Sequence, residues 1–356
     1  MLTVALVTLG DPATMTGGYL YHRRIADRAG RHHAHVDFLS LPVRPFPLPM
    51  LAGPALLRAV ARRRPDVLLL DSIAAAFLQP WSARRGLPPL VAIAHQPPGG
   101  IDHGPARRWV QAMLDRRVYR RAARLLLASA DLAAAMRRAG VPDERLRVVP
   151  PGRDVAAVPV PPSGDLRAGR RVAVLSVGNW VARKGLLDLL DAVAHLPAEA
   201  VTLHLVGDTR VEPAYAARVR LRLAAPDLAE RVVLHGPRSP AEVAGLYRAA
   251  DVFALASLRE PYGTVYGEAM AAGLPVVGWA AGNLPHLARN GVEGLVVAPG
   301  DGPALVAALR SLAFDEPLRR RSADTAARRA ATFPTWDDTA RMLFTELRAV
   351  VKQARA

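Results

Sequence analysis

The stretch from Asp251 to Gly278 holds the groups best suited to chemistry. An apolar run, Val252 to Ala256, ends in Ser257 and a loop carrying Glu260, Pro261, Tyr262 and Gly263. A helix is expected to begin near Thr264, with Glu268 in its early turns. The first N–H groups of a helix have no partner inside it, so with the helix dipole they form an anion site. Glycine at 263 lets backbone approach a ligand closely. Two carboxylates eight residues apart are by themselves weak evidence, because most such pairs decorate a solvated surface. A second candidate is His95, which closes the apolar run Val91-Ala92-Ile93-Ala94. The loop behind it, Gln96 to Gly104, contains two prolines and three glycines and so has a specific, non-repetitive shape.

These groups need a scaffold. The chain has 356 residues, enough for two domains. Half of it is hydrophobic (51%) and 22% is charged, which excludes a disordered chain. It has no cysteine, which removes disulfide scaffolds, thiolate metal sites and cysteine nucleophiles. No apolar run approaches the roughly 20 residues of a membrane span. The opening residues, Met1 to Val7, read as a strand and not as a leader, so a cytoplasmic protein is expected. Strand-length apolar runs at 3–9, 35–41, 66–71, 90–95, 124–129 and 145–150 alternate with helical patterns at 18–29, 54–64, 106–122 and 130–139. After a Pro- and Gly-rich break, strands recur at 171–178, 201–207, 231–235, 251–256, 275–279 and 294–298. Helices are expected between them at 184–195, 213–224, 240–249, 264–272 and 302–313. This alternation argues for an α/β chain of two Rossmann-like, doubly wound parallel-sheet domains facing across a cleft. The expected limits are residues 1–155 for the first domain, 156–170 for a linker and 171–334 for the second. A C-terminal helix, 335–356, is expected to return to the first domain.

Motifs in one order along the whole chain resemble the family 4 retaining glycosyltransferases of the GT-B fold. The resemblance rests first on Glu260 and Glu268, spaced Glu-x7-Glu, with Ala-Met-Ala-Ala-Gly-Leu-Pro-Val-Val following. It extends to Gly17-Gly18 after the first strand, and to Val148-Val149-Pro150-Pro151-Gly152-Arg153-Asp154 at the domain exit. Ser176-Val177-Gly178 through Arg183-Lys184-Gly185, Leu205-Val206-Gly207-Asp208, His235-Gly236 and Leu246 to Asp251 continue it.

The resemblance implies a nucleotide diphosphate sugar as donor, with no cofactor and no metal. UDP is the commonest nucleotide in the family, with GDP and ADP as alternatives. Glu260 is then expected near the hydroxyls of the transferred sugar, and Glu268 at the ribose diol, since a carboxylate only accepts and a diol donates twice. The backbone N–H groups of 263–266 would face sugar hydroxyls and the diphosphate, and Gly17, Gly18, Gly178, Tyr262, Gly263, Thr264 and Val265 are expected among the donor-binding residues. The base would lie against Gly236, Pro237 and Arg238. Arg183 and Lys184 would clamp the diphosphate and stabilise it as it leaves. Only two of the 47 basic residues are lysines, Lys184 and Lys352. A compact ammonium at 184 thus stands out in a chain that otherwise uses guanidinium. Asn179 departs from the pattern, because many members carry arginine there, and Arg183 is the nearest replacement. His95 would face the transferred sugar. The acceptor pocket would include Gln96, Gly99, Gly100, Asp102 and His103.

Other functions fit less well. A glycoside hydrolase needs two carboxylates flanking one bond, and a pyridoxal-dependent phosphorylase would need Lys184 for its cofactor. The formal charge of +16 invites nucleic acid. However, the arginines are spread over amphipathic helices and no reading motif occurs, so no nucleic-acid partner is expected. Residues 1–160 carry 23 basic and 11 acidic side chains, against 24 and 20 in the remainder. That excess suits an anionic partner of the first domain. Arg107, Arg108, Arg116, Arg117, Arg120, Arg121 and Arg124 accompany Trp109, Met113, Val118 and Tyr119, a pattern that could lie on anionic lipid. Packing of that stripe onto the sheet is the favoured reading, and with it a small soluble alcohol as acceptor rather than a membrane lipid.

Overall fold

A computed structural model describes residues 1–12, 17–101, 103–153 and 159–356. Asp102, Asp154 and the rest of 154–158 lie outside the described residues. The chain divides into two units, Met1–Gly152 with Pro334–Ala356, and Arg153–Phe333.

The first unit is built on a six-stranded parallel sheet in the order β2-β1-β3-β4-β5-β6. Its strands are β1 (Leu2–Leu9), β2 (Ala34–Leu41), β3 (Val67–Asp71), β4 (Leu90–Ala94), β5 (Arg124–Leu127) and β6 (Leu146–Val148). All five residues of β3 are buried, as expected for a strand covered on both faces. The chain passes from β1 to β2 on one side and later to β3 on the other, so β1 and β3 flank the point where the winding reverses. The connecting helices are α1 (Gly17–Ala26), α2 (Gly53–Arg63), α3 (Ser72–Leu78), α4 (Pro105–Tyr119) and α5 (Ala130–Arg138). Helix α3 has no counterpart in the expected elements. Six of its seven residues are buried, so it shows no polar face to reveal a helical period.

The side chains of the basic stretch 107–124 divide between core and surface. Val118 and Tyr119 are fully buried and Arg124 belongs to β5, where it pairs with Glu346 at 3.0 Å. Trp109 instead stands 70% exposed, so the four apolar residues do not form one stripe.

The second unit carries a six-stranded parallel sheet in the order β12-β11-β10-β7-β8-β9. The strands are β7 (Val172–Val177), β8 (Val201–Val206), β9 (Val232–Gly236), β10 (Val252–Leu255), β11 (Val276–Trp279) and β12 (Gly294–Val297). Side chains alternate across β7. Val172 and Val174 join a core with Leu186, Leu189 and Leu309, while Ala173 and Leu175 join one with Tyr247, Tyr266 and Met270. The helices are α6 (Leu186–Ala194), α7 (Pro213–Leu223), α8 (Pro240–Ala249), α9 (Thr264–Ala271), α10 (Leu284–Leu287), α11 (Gly302–Phe314) and α12 (Glu316–Ala331). Here the winding reverses between β7 and β10, where a doubly wound sheet binds its ligands. Residues 159–170, expected as linker, pack on this unit: Leu166 is buried in its core, and Val160 N–H donates to the Ala241 carbonyl at 3.0 Å.

The final helix, α13 (Trp336–Arg355), belongs to the first unit. Thr335 and Asp338 close a capping box at its start. Trp336, Leu343, Phe344, Leu347 and Val350 then line one face and enter the same core as Tyr21, Ile25 and Leu6. Each large side chain so buried is worth about 1.5–3 kcal/mol.

Candidate functional site

In the second unit the loops leaving β7 and β10 meet. Beyond β7, Gly178 leads to a single helical turn, Ala182–Lys184, that stops at Gly185. Gly185 has φ 64°, and a Cβ there would lie 1.9 Å from the Ala256 carbonyl oxygen. Only glycine lets this turn lie on the end of β10. The contact continues as Leu258 N–H and the Ser257 hydroxyl donate to the Arg183 carbonyl, at 2.8 and 3.1 Å. The Lys184 side chain runs over Gly178, where a Cβ would be 3.3 Å from its Cε, and its ammonium donates to Glu260. Both groups are about one-tenth exposed. Arg183 donates to the Arg259 carbonyl at 3.0 Å, and its guanidinium is 3.9 Å from Glu260. Glu260 is seated by its backbone as well: Asn283 N–H donates to its carbonyl at 2.9 Å, and Gly282 leaves no room for a Cβ against it.

The expected donor residues follow from this centre. Gly263 adopts φ 73° and caps α9, whose first N–H groups, including those of Thr264 and Val265, have no acceptor within the helix. The Tyr262 carbonyl accepts from Asn283 Nδ2 at 2.9 Å. Glu268 is exposed in the second turn of α9 and accepts from the Tyr247 hydroxyl at 3.2 Å. Burial first, then Glu268, push that phenol well above its usual range. Asn179 is exposed and its Oδ1 accepts from Asp208 N–H at 3.3 Å, which ties the β7 and β8 loops together. Gly236 ends β9 and Pro237 and Arg238 follow it, with Arg238 paired to Glu242 at 3.1 Å. Behind them His235 Nε2 lies 2.9 Å from His204 Nδ1, and burial lowers both imidazoles.

In the first unit, β3 ends at Asp71 and its neighbour β4 runs out into His95, whose N–H donates to the Ser72 hydroxyl at 3.1 Å. His22 on α1 joins them, with its Nε2 3.0 Å from Asp71 Oδ2 and 3.2 Å from His95 Nε2. One nitrogen facing both groups gives its hydrogen to the carboxylate. His95 Nε2 is therefore an acceptor, and His95 carries its proton on Nδ1. Burial, followed by the neighbouring His22, lowers the His95 imidazole to about 3, so it is neutral at ordinary pH. Burial alone would raise the Asp71 carboxyl, but His22, His95 and the Thr8 hydroxyl outweigh it and hold it at about 2. Among the described residues this trio is the one group with metal-ligand spacing, its donor atoms lying within 4.8 Å of each other. The hydrogen bonds already account for that closeness. Gly18 packs against the His95 ring, where a Cβ would sit 3.6 Å from Cδ2, and Gly17 opens the same helix.

The loop after His95 is fastened to α4. Gly99 N–H donates to Asp115 Oδ2 at 2.8 Å, and a Cβ on Gly99 would lie 2.5 Å from the Arg108 carbonyl oxygen. Gln96 and His103 both approach Gly100, whose φ is 76°. Asp102 of the expected acceptor set lies outside the described residues. Burial pushes the Asp115 carboxyl up to about 7, against the pull of the Gly99 and Ala76 N–H groups. Sequence reasoning missed His22, Asp71 and Asp115. Asp71 left one trace, a carboxylate closing an apolar strand; His22 and Asp115 left none.

Comparison with known proteins agrees with this architecture. Residues 171–315 match a family model described as glycosyl transferases group 1, and residues 2–152 match one described as glycosyl transferase 4-like domain. A D-inositol 3-phosphate glycosyltransferase of Xylanimonas cellulosilytica is 33% identical over 208 residues, 55% of this chain and 49% of the relative. The lipopolysaccharide core biosynthesis glycosyltransferase LpsE of Rhizobium meliloti is 35% identical over 153 residues, 42% of each. The chain spans about half the length of the curated relatives it matches. Among solved structures, Anabaena HepE in complex with UDP superposes with a TM-score of 0.78 at 25% identity, covering 98% of this chain and all of the other. Sucrose-phosphate synthase from Thermosynechococcus elongatus shares the fold, with a TM-score of 0.85 at 22% identity over 99% of this chain and 100% of that one.

Proposed function

Because this chain belongs to the family 4 glycosyltransferases of the GT-B fold, we propose that it moves a hexose from a nucleotide diphosphate sugar to an alcohol, with retention at the anomeric carbon and without a metal. The observation that carries this reading is the gathering of Lys184, Arg183 and Glu260 where β7 and β10 end. As the glycosidic bond breaks, negative charge grows on the departing diphosphate. Lys184 has three N–H donors and spends one on Glu260, leaving two for phosphate oxygens. Arg183 adds a second cation, the role Asn179 cannot take, and the start of α9 adds aligned N–H groups. Glu260 accepts hydroxyls of the sugar, and Glu268, exposed and steadied by Tyr247, accepts the ribose diol. Neutral His95, with its proton on Nδ1, contributes a hydrogen-bonding imidazole and no charge. The acceptor attacks on the face the diphosphate leaves, and the diphosphate takes its proton.

UDP is the favoured nucleotide, supported by the UDP held by HepE; GDP is the alternative. A small soluble alcohol is the favoured acceptor, supported by the inositol phosphate named for several relatives. The loop at 96–104 would hold it. A lipid acceptor is the second reading, favoured by the exposed Trp109 beside Arg107 and Arg108. Among the described residues no helix is long and apolar enough to cross a membrane; the second reading is one of peripheral contact. The test is an acceptor screen for released nucleotide diphosphate, followed by NMR of the product. An inverted anomer refutes retention, loss of activity in EDTA refutes metal independence, and free sugar as sole product refutes transfer.

A further inference from the structure

The first unit has a second concave feature at the end of its sheet opposite His95. Asp66 and Pro88 stand just before β3 and β4, whereas Asp71 and His95 stand at their other ends. Strands of five residues put the two places about 16 Å apart. Between Asp66 and the loop before β4 lies a pocket of about 950 Å³, with Leu57 and Val60 in its wall. Five arginines line it: Arg58, Arg64, Arg84, Arg85 and Arg355. Its one carboxylate, Asp66, is already occupied by Arg355 at 2.5 Å and by the Thr3 N–H and hydroxyl at 2.9 and 2.8 Å.

The other four arginines gather around one hollow. Among the described residues, Arg58, Arg64, Arg84 and Arg85 make no ion pair and no side-chain hydrogen bond, and all four are exposed. Other guanidinium groups are paired, as in Arg167 with Asp251 or Arg222 with Asp191 and Asp227, and unpaired ones such as Arg116 and Arg117 do not line this hollow. Four like charges around one hollow repel each other, and an anion relieves that repulsion. Arg64 also ends α2 at φ 47°, a left-handed position where glycine is less costly. Guanidinium groups make paired hydrogen bonds to phosphate, and the pocket has the size of small-molecule sites.

We infer that this pocket binds a phosphate-bearing anion, separately from donor and acceptor, through Arg58, Arg64, Arg84 and Arg85. The phosphate comes from a free metabolite or from a lipid headgroup, and the two sources are told apart by the probe. Calorimetric titration with inorganic tripolyphosphate is run in saturating UDP, so that the donor site is filled. One site per chain is expected. The Arg84→Ser/Arg85→Ser variant weakens it at least about tenfold, each lost charge-assisted contact being worth that much. Arg64→Gly does the same with no cost to folding, because glycine takes that backbone freely. Arg116→Ser/Arg117→Ser, on α4 outside the pocket, leaves it unchanged. Sedimentation with neutral and with anionic phospholipid vesicles forms the second arm. Capture by anionic vesicles alone, lost in the pocket variants, assigns the phosphate to a lipid. The inference is overturned if both probes bind the pocket variants as they bind the wild type, if the α4 variant loses as much, or if neither probe binds.

Discussion

Replacing Lys184 with methionine tests the centre of the site, because it strands a buried charge. Glu260 then keeps only Arg183, 3.9 Å away, in a place one-tenth exposed to water. Breaking one partner of a buried pair costs about 3–5 kcal/mol, and the remaining Arg183 argues for the lower end. At about 3 kcal/mol, a unit of this size should lose roughly 6–12 °C in its melting midpoint. Glu260→Gln should destabilise as well, by leaving the ammonium without its carboxylate. The double variant removes both charges and should recover to within about 1 kcal/mol of the wild type, a coupling of about 2 kcal/mol or more. Catalysis should follow a different pattern. Each single variant should lose about 10–150-fold in turnover, the worth of one charged hydrogen-bonding group, and the double variant should regain none of it. Differential scanning calorimetry and a nucleotide-release assay on the same four proteins read the two patterns. If Lys184→Met melts with the wild type, the ammonium is not what neutralises Glu260. If the double variant regains turnover, the pair serves the fold and not the reaction.

Four further outcomes are expected. Glu268→Gln should weaken nucleotide binding by about 10–150-fold with little change in turnover, measured by titration with UDP; equal effects on Glu260→Gln and Glu268→Gln would contradict their separate roles. The Asp115 carboxyl, raised to about 7 from an ordinary 3.8, binds a proton in the fold that the unfolded chain has released, so stability should fall as pH rises between those values; Asp115→Asn should flatten that slope in melts from pH 5 to about 8, and an unchanged slope would exclude Asp115 as its source. His95, lowered to about 3 from 6.5, acts in the opposite sense, so stability should be lost as pH falls from about 6.5 towards 3, less steeply in His95→Gln. Gly185→Ala should destabilise by more than about 2 kcal/mol and abolish transfer, since its Cβ would lie 1.9 Å from the Ala256 oxygen; a fully active, stable variant would show that the turn at 182–184 moves freely.

The central strands were legible because β1, β3, β4, β7, β10 and β11 are nearly unbroken apolar runs, which a doubly covered parallel sheet requires. Helix α3 was not, since Ser72 to Leu78 is buried nearly all round and has no polar face. Helix α12 was missed for the opposite reason: Glu316 to Ala331 is mostly Arg and Ala, with Ser322, Ala326 and Ala330 as its buried residues. The centre at Lys184 and Glu260 was readable as two motifs, 76 residues apart, that adjacent strands bring together. The His22–Asp71–His95 trio was not, because its members come from a helix and two strand ends and share no local spacing. Asp115 looked like one more charge on a basic helix, and only its contact with Gly99 separates it from a solvated carboxylate.

The placement of α13 bears on how the polypeptide is born. Chains leave the ribosome amino end first, and domains commonly fold as they emerge. The unit that spans Arg153–Phe333 is continuous, so all of it is available before the last helix has been translated. The unit begun at Met1 has no such independence, for Trp336, Leu343, Phe344 and Leu347 are missing from beneath Tyr21 and Ile25 until α13 has been translated. Throughout that interval it shows an apolar trough to solvent or to whatever chaperone meets it. The half synthesised first is therefore the half completed last, and nascent chains halted before residue 334 should expose that trough while their second half is already resistant to protease.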